Sequence, residues 1–137
     1  DDFTHVRTDG KAEIVKNTQD VNAAKDNTGL CAFSGNAWDM NDYAAQIDAA
    51  CGGGWDEARM LEVGERTYTL ERQFNLRAGL TKADDTLPDR FLKEAAKSGV
   101  AKGRVTELDK MLPEYYELRG WTKDGVPTNE TLDRVGI

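Results

Sequence analysis

Residues that start and stop helices divide this chain at helix-length intervals, and no stretch between them alternates apolar and polar residues with the period of two that a half-buried strand needs. Asp9, Asp39, Asp56 and Thr128 stand where a side-chain oxygen can accept the first free N–H groups of a helix. Gly29, the glycines at 52, 53 and 54, Gly79, Gly120 and Gly136 stand where helices end, because glycine enters the left-handed conformation without a Cβ clash. This punctuation predicts helices over about 10–28, 40–51 and 57–78. A short helix is predicted from Pro88 to about 97, then one over 105–119 and a last one over 129–135. The expected fold class is all-α, an irregular bundle of five to six helices. Residues 1–9 read as an irregular arm and 10–137 as a single helical domain, with no internal repeat.

Apolar residues at helical spacing give the expected inner faces. In the first helix these are Ile14, Thr18, Val21 and Lys25, with Val15 and Ala24 beside them. In the second they are Met40, Ala44, Ile47 and Cys51, and in the longest Met60, Val63, Gly64, Thr67, Leu70 and Phe74. Val105, Leu108, Met111, Leu112, Tyr115 and Tyr116 continue the pattern, with Pro113 expected to kink that helix or start a new one.

The stripes are narrow. Leu, Ile, Val and Phe make up only 26 of 137 residues, at the level where a strongly charged chain struggles to bury a core. Such a chain reads as a piece of a larger protein whose neighbours cover part of its surface, and its start at Asp1-Asp2 without Met fits that reading. The formal net charge of −7 opposes binding to phosphate backbones, so no nucleic-acid partner is expected. No apolar run approaches the roughly 20 residues that cross a membrane, and no signal-like segment opens the chain. Two cysteines allow neither a disulfide scaffold nor a four-cysteine metal site.

Few residues offer chemistry. His5 stands alone in the arm, either as an ordinary histidine or as a base for Cys31 in a thiol-dependent hydrolase. Cys31 follows a helix C-terminus, whose negative end opposes a thiolate nucleophile. A metal ion brings its own positive charge, so a ligand role survives that objection, beside the plainer role of a small buried hydrophobe. Cys51 reads only as a buried small hydrophobe. Asp26, in the last turn of the first helix, either is a solvated acid or accepts N–H donors from a heterocycle. Glu62 with Arg66, and Glu71 with Arg72 and Arg77, read as surface ion pairs or as pairs at an interface with absent domains.

Three segments together resemble the carboxy-terminal part of the aldehyde ferredoxin oxidoreductase family of tungsten-pterin enzymes. Asp26-Asn27-Thr28-Gly29-Leu30-Cys31 is similar to the family's D-x-x-G-L-C motif. Gly64-Glu65-Arg66, continuing into Leu70-Glu71-Arg72-Gln73-Phe74-Asn75-Leu76-Arg77-Ala78-Gly79, resembles its G-E-R…L-E-R-x-F-N-x-R-x-G stretch. The third segment runs through Asp84-Asp85-Thr86-Leu87-Pro88-Asp89-Arg90-Phe91, Met111-Leu112-Pro113-Glu114-Tyr115-Tyr116, Arg119-Gly120-Trp121 and Gly125-Val126-Pro127-Thr128.

The resemblance implies a cytoplasmic enzyme that oxidises aldehydes to carboxylic acids at a tungstopterin (or molybdopterin) centre and passes electrons through a [4Fe–4S] cluster to ferredoxin. It implies that Cys31 is one cluster ligand, that Asp26 hydrogen-bonds a pterin and that Gly29 and Leu30 complete the pterin-contacting turn. The family's C-x-x-C-x-x-x-C segment, amino-terminal β domain and second pterin motif have no counterpart in these residues. The chain is therefore expected to be part of such an enzyme, inactive and without cofactor alone, with the missing domains as its first partner. Self-association through exposed surfaces is open. The competing expectation is a free-standing acidic helical module that binds a partner protein.

Overall fold

The computed structural model describes residues 7–137, so His5 and most of the expected arm lie outside the described residues. Six α-helices follow one another: α1 Lys11–Asn27, α2 Met40–Cys51, α3 Glu57–Arg77, α4 Asp89–Lys93, α5 Leu108–Arg119 and α6 Asn129–Val135. Two 3₁₀ turns, Ala32–Asn36 and Lys82–Asp84, lie between them, and an isolated bridge from Trp121 to Pro127 is the β feature among the described residues. The all-α expectation holds.

Three of the four expected caps form. Asp39 accepts from the amides of Asn41 and Asp42 while Asp42 reaches back to the Asp39 amide, Asp56 accepts from Arg59, and Thr128 from Thr131. Asp9 does not cap α1: left-handed Gly10 occupies that position, and Asp9 faces Arg7 at 3.8 Å. Helix α4 ends at Lys93, short of 97, because the backbone of Ala96 is taken by Gly103 and Arg104. Pro113 lies within α5 without dividing it; close to the helix start and exposed, it forfeits a single backbone bond.

The buried faces are rotated from those the apolar residues suggested. On α1 the buried line is Ala12, Asp20 and Ala24, while Val15 and Thr18 are exposed. On α3 Met60 and Gly64 face inward as expected, joined by Thr69 and Arg72, whereas Leu70 and Phe74 are 48% and 72% exposed. Close backbone approach sets this geometry. A Cβ on Gly64 would overlap the Asp20 carbonyl oxygen and stand 3.2 Å from the Ala24 amide nitrogen, so α1 and α3 meet where one of them lacks a side chain. Gly64→Ala is expected to destabilise the protein by about 1–3 kcal/mol, although alanine is the better helix former by about 1 kcal/mol. Chemical denaturation measures it, and a neutral or stabilising result would refute the close approach.

The apolar core is small. Ala24, Met40, Tyr43, Ala44 and Met60 form it where α1, α2 and α3 meet, with Val21, Ile47, Trp55 and Leu61 packed at its edge. Cys51 is exposed at the last turn of α2, which corrects its expected burial; the three glycines that follow provide nothing to cover it.

Buried polar networks hold the other half. Arg72 does not pair with Glu71. It grips both carboxylate oxygens of Asp85, at 2.7 and 2.6 Å, and donates to the Gly125 carbonyl at 2.8 Å. Tyr116 also donates to Asp85. Burial raises the Asp85 pKa, and the Arg72 and Tyr116 hydrogen bonds outweigh it and hold the group below its usual 3.8. A carboxylate with a depressed folded pKa contributes stability that is present above its unfolded pKa and lost as pH falls through the folded one. Asp85→Asn is therefore expected to flatten the loss of stability below about pH 4. An unchanged acid limb in urea titrations across that range would contradict it.

A candidate cofactor-facing turn

The four residues singled out for cofactor contact lie together on the turn that leaves α1. Asp26 is in its last helical turn, Thr28 closes the helix, and Gly29 follows in the left-handed conformation at φ 69°. The amide of Gly29 returns to the Asp26 carbonyl at 3.1 Å. At the ends of α3, α5 and α6 the next amide also reaches back to the helix, as in Leu80 to Asn75 at 3.0 Å. Here the Thr28 hydroxyl intervenes. It donates to the Lys25 carbonyl at 2.6 Å and accepts from the Leu30 amide at 3.1 Å, so the chain leaves the helix end along a side-chain bridge. Leu30 remains 38% exposed instead of closing wholly over the helix.

Cys31 follows with polyproline-like backbone, φ −59° and ψ 127°, and an exposed thiol outside any disulfide. The next turn fixes its backbone. Both the Ser34 amide, at 3.0 Å, and the Ser34 hydroxyl, at 2.6 Å, donate to the Cys31 carbonyl. Ser34 in turn lies 2.6 Å from the hydroxyl of Tyr43, a core residue of α2 only 1% exposed. Asn27 ties the same corner to α3 through a 2.7 Å bond to Thr67. Sequence reasoning found Asp26, Gly29, Leu30 and Cys31 but missed Thr28, Ser34 and Tyr43. The available signal was a hydroxyl two residues before Leu30 and another three after Cys31, the spacing at which serine and threonine bond local backbone.

The turn offers an exposed acceptor and an exposed thiol beside apolar surface. The Asp26 carboxylate is exposed and has no hydrogen-bond or ion-pair partner among the described residues. Phe33, two residues after Cys31, is 82% exposed. Among the described residues no three His, Cys, Asp or Glu side chains converge on a point where a metal ion would sit. A single soft thiolate on a surface turn fits a shared iron–sulfur centre as one ligand among several, with the remainder supplied by other polypeptide. An accepting carboxylate on the same turn fits the N–H edge of a pterin.

Comparisons with known proteins give the family setting of the whole chain. The sequence model of a family described as aldehyde ferredoxin oxidoreductase, domains 2 and 3, matches residues 1–137. The tungsten-containing aldehyde ferredoxin oxidoreductase of Pyrococcus furiosus is 43% identical over 134 residues, which cover 97% of this chain and 22% of that protein. The corresponding protein of Thermococcus kodakarensis is 42% identical over the same coverage. Among solved structures, the active-site complex BamBC of benzoyl coenzyme A reductase, bound to 1,5-dienoyl-CoA, superposes with a TM-score of 0.75 at 29% identity. That match covers 97% of this chain and 20% of the other. The chain thus spans about a fifth of the length of the relatives it matches. By the extent of these matches, the chain belongs to the aldehyde ferredoxin oxidoreductase family, within the region of its domains 2 and 3.

Proposed function

We propose that residues 10–137 form one helical unit of an oxidoreductase that converts aldehydes to carboxylic acids with ferredoxin as electron acceptor. Within it, the turn at 26–31 presents a carboxylate to a pterin and a thiolate to a [4Fe–4S] cluster. The observation that carries this reading is the pairing, on one short turn, of an exposed Asp26 carboxylate, without a partner among the described residues, with the exposed Cys31 thiol. The tungstopterin centre supplies the aldehyde oxidation and the cluster the electron exit.

This chain's residues bind and orient. Asp26 accepts pterin N–H donors. Gly29 lets the backbone turn beside the pterin without a Cβ, and Leu30 covers it with apolar surface. Cys31 would hold one iron of the cluster through its thiolate, and the cluster would supply the route by which electrons leave. The missing domains of the enzyme cover the apolar side chains that this chain leaves in water, Phe33, Leu70 and Phe74 among them. The family match and the share of each relative that the chain covers support this assignment. No helix among the described residues is long and apolar enough to cross a membrane; a cytoplasmic setting is part of the proposal.

The experiment is anaerobic purification of the enzyme carrying this chain from tungstate-supplied cells. Aldehyde-dependent reduction of ferredoxin, with stoichiometric tungsten, is the expected result. Asp26→Ala is expected to lower pterin content while iron content holds. The isolated chain, reconstituted with iron and sulfide, is expected to hold no stoichiometric cluster. Full pterin content in the Asp26 variant would remove Asp26 from the contact, and a cluster in the isolated chain would remove the shared site.

A further inference from the structure

The hydroxyls of Ser34 and Tyr43 form a chain of hydrogen bonds that runs from the apolar core to the backbone of Cys31. Its polarity follows from proton counting. Ser34 has one hydroxyl proton and gives it to the Cys31 carbonyl at 2.6 Å. The Tyr43 hydroxyl, 2.6 Å from Ser34, is therefore the donor in the second bond. The order is Tyr43 O–H to Ser34 Oγ–H to the Cys31 carbonyl.

Each part is anchored independently of Cys31. Tyr43 is 1% exposed within the core cluster, and the Trp38 ring meets it nearly perpendicularly with centroids 5.6 Å apart. The Lys25 ammonium lies 5.7 Å from its ring centroid. Lys25 also fills the space beside Gly35: a Cβ there would stand 3.1 Å from the ammonium nitrogen, so the turn after Cys31 is braced from α1 as well as from α2. An exposed cysteine on an unsupported loop would sample many positions, whereas this carbonyl takes both the amide and the hydroxyl of Ser34.

We propose that Tyr43 and Ser34 are positioning residues for Cys31: they lock the backbone from which its thiolate reaches the cluster, and so set how firmly that iron is held. This rests on Cys31 being a cluster ligand and adds the pair that aims it. Partners that orient a metal ligand, though they never touch the metal, typically change metal affinity by about 10–100-fold when removed.

The test compares Tyr43→Phe, Ser34→Ala and Ser34→Thr with the unaltered holoenzyme, and includes Cys31→Ala as reference. Iron release to a chelator is followed well below the melting temperature, beside the electron paramagnetic resonance spectrum of the reduced cluster. Tyr43→Phe and Ser34→Ala are expected to keep their iron content as purified, to release iron on the order of tenfold faster, and to shift the spectrum. Ser34→Thr keeps the hydroxyl and is expected to restore both. Should Tyr43→Phe disturb the core, Ser34→Ala decides the matter alone. Release rates and spectra equal to the unaltered enzyme, with Cys31→Ala losing iron, would overturn the positioning role and leave Cys31 as a ligand. Cys31→Ala retaining its full cluster would overturn both.

Discussion

Arg119→Ala is expected to remove about 3 kcal/mol or more of stability, the largest loss from any single side chain here. Arg119 is fully buried. It donates to the Asp20 carboxylate, to Gln19 at 2.8 Å and to the Tyr115 hydroxyl at 3.0 Å, and its guanidinium lies 4.5 Å from the Tyr68 ring centroid. Truncation would leave a void and strip Asp20, itself 5% exposed, of its strongest partner. Lys16, 2.9 Å from the other Asp20 oxygen, compensates only part of the charge. Arg119→Lys keeps the charge but loses the planar fork, and an intermediate loss is expected. Asp20→Asn combined with Arg119→Ala is expected to cost less than the two losses added, because both act on one pair. Urea denaturation of the chain measures all of these; a loss under about 1 kcal/mol for Arg119→Ala would place the pair among exposed ion pairs instead.

Cys31→Ala in the complete enzyme is expected to have the largest chemical effect: loss or severe depletion of cluster iron and sulfide, with electron transfer to ferredoxin falling in step. Folding is expected to hold, because Cys31 is exposed and its side chain packs no core. Cys51→Ala serves as the control. It is exposed too, at the far end of α2, and no change in iron is expected.

Much of this architecture was legible in local chemistry. The capping oxygens of Asp39, Asp56 and Thr128 and the glycines at 29, 79, 120 and 136 act on backbone groups within four residues, so their meaning survives without tertiary knowledge. The faces of α1 and α3 were less legible. Apolar spacing pointed to Leu70 and Phe74, but a long-range partner decides burial, and Arg72 turns inward because Asp85 and Gly125 lie there. Asp20 is polar and buried for the same reason, with Arg119 99 residues away in sequence. The exposed Leu70 and Phe74 show where the apolar reading failed: helical spacing marks an apolar stripe but not whether anything in this chain packs against it. At the turn, the motif located Asp26 to Cys31, while Tyr43 was invisible because it joins the turn only through the folding of α2 onto it.

The central claim is that Cys31 gives its thiolate to a centre assembled mostly by other polypeptide. Alkylation of individual cysteines in the native holoenzyme, read by mass spectrometry before and after iron is removed by a chelator, tests it directly. Cys31 is expected to resist alkylation while iron is bound and to react once iron is gone, with the rate at Cys51 unchanged. Equal reactivity of Cys31 in the loaded and stripped enzyme would contradict the account.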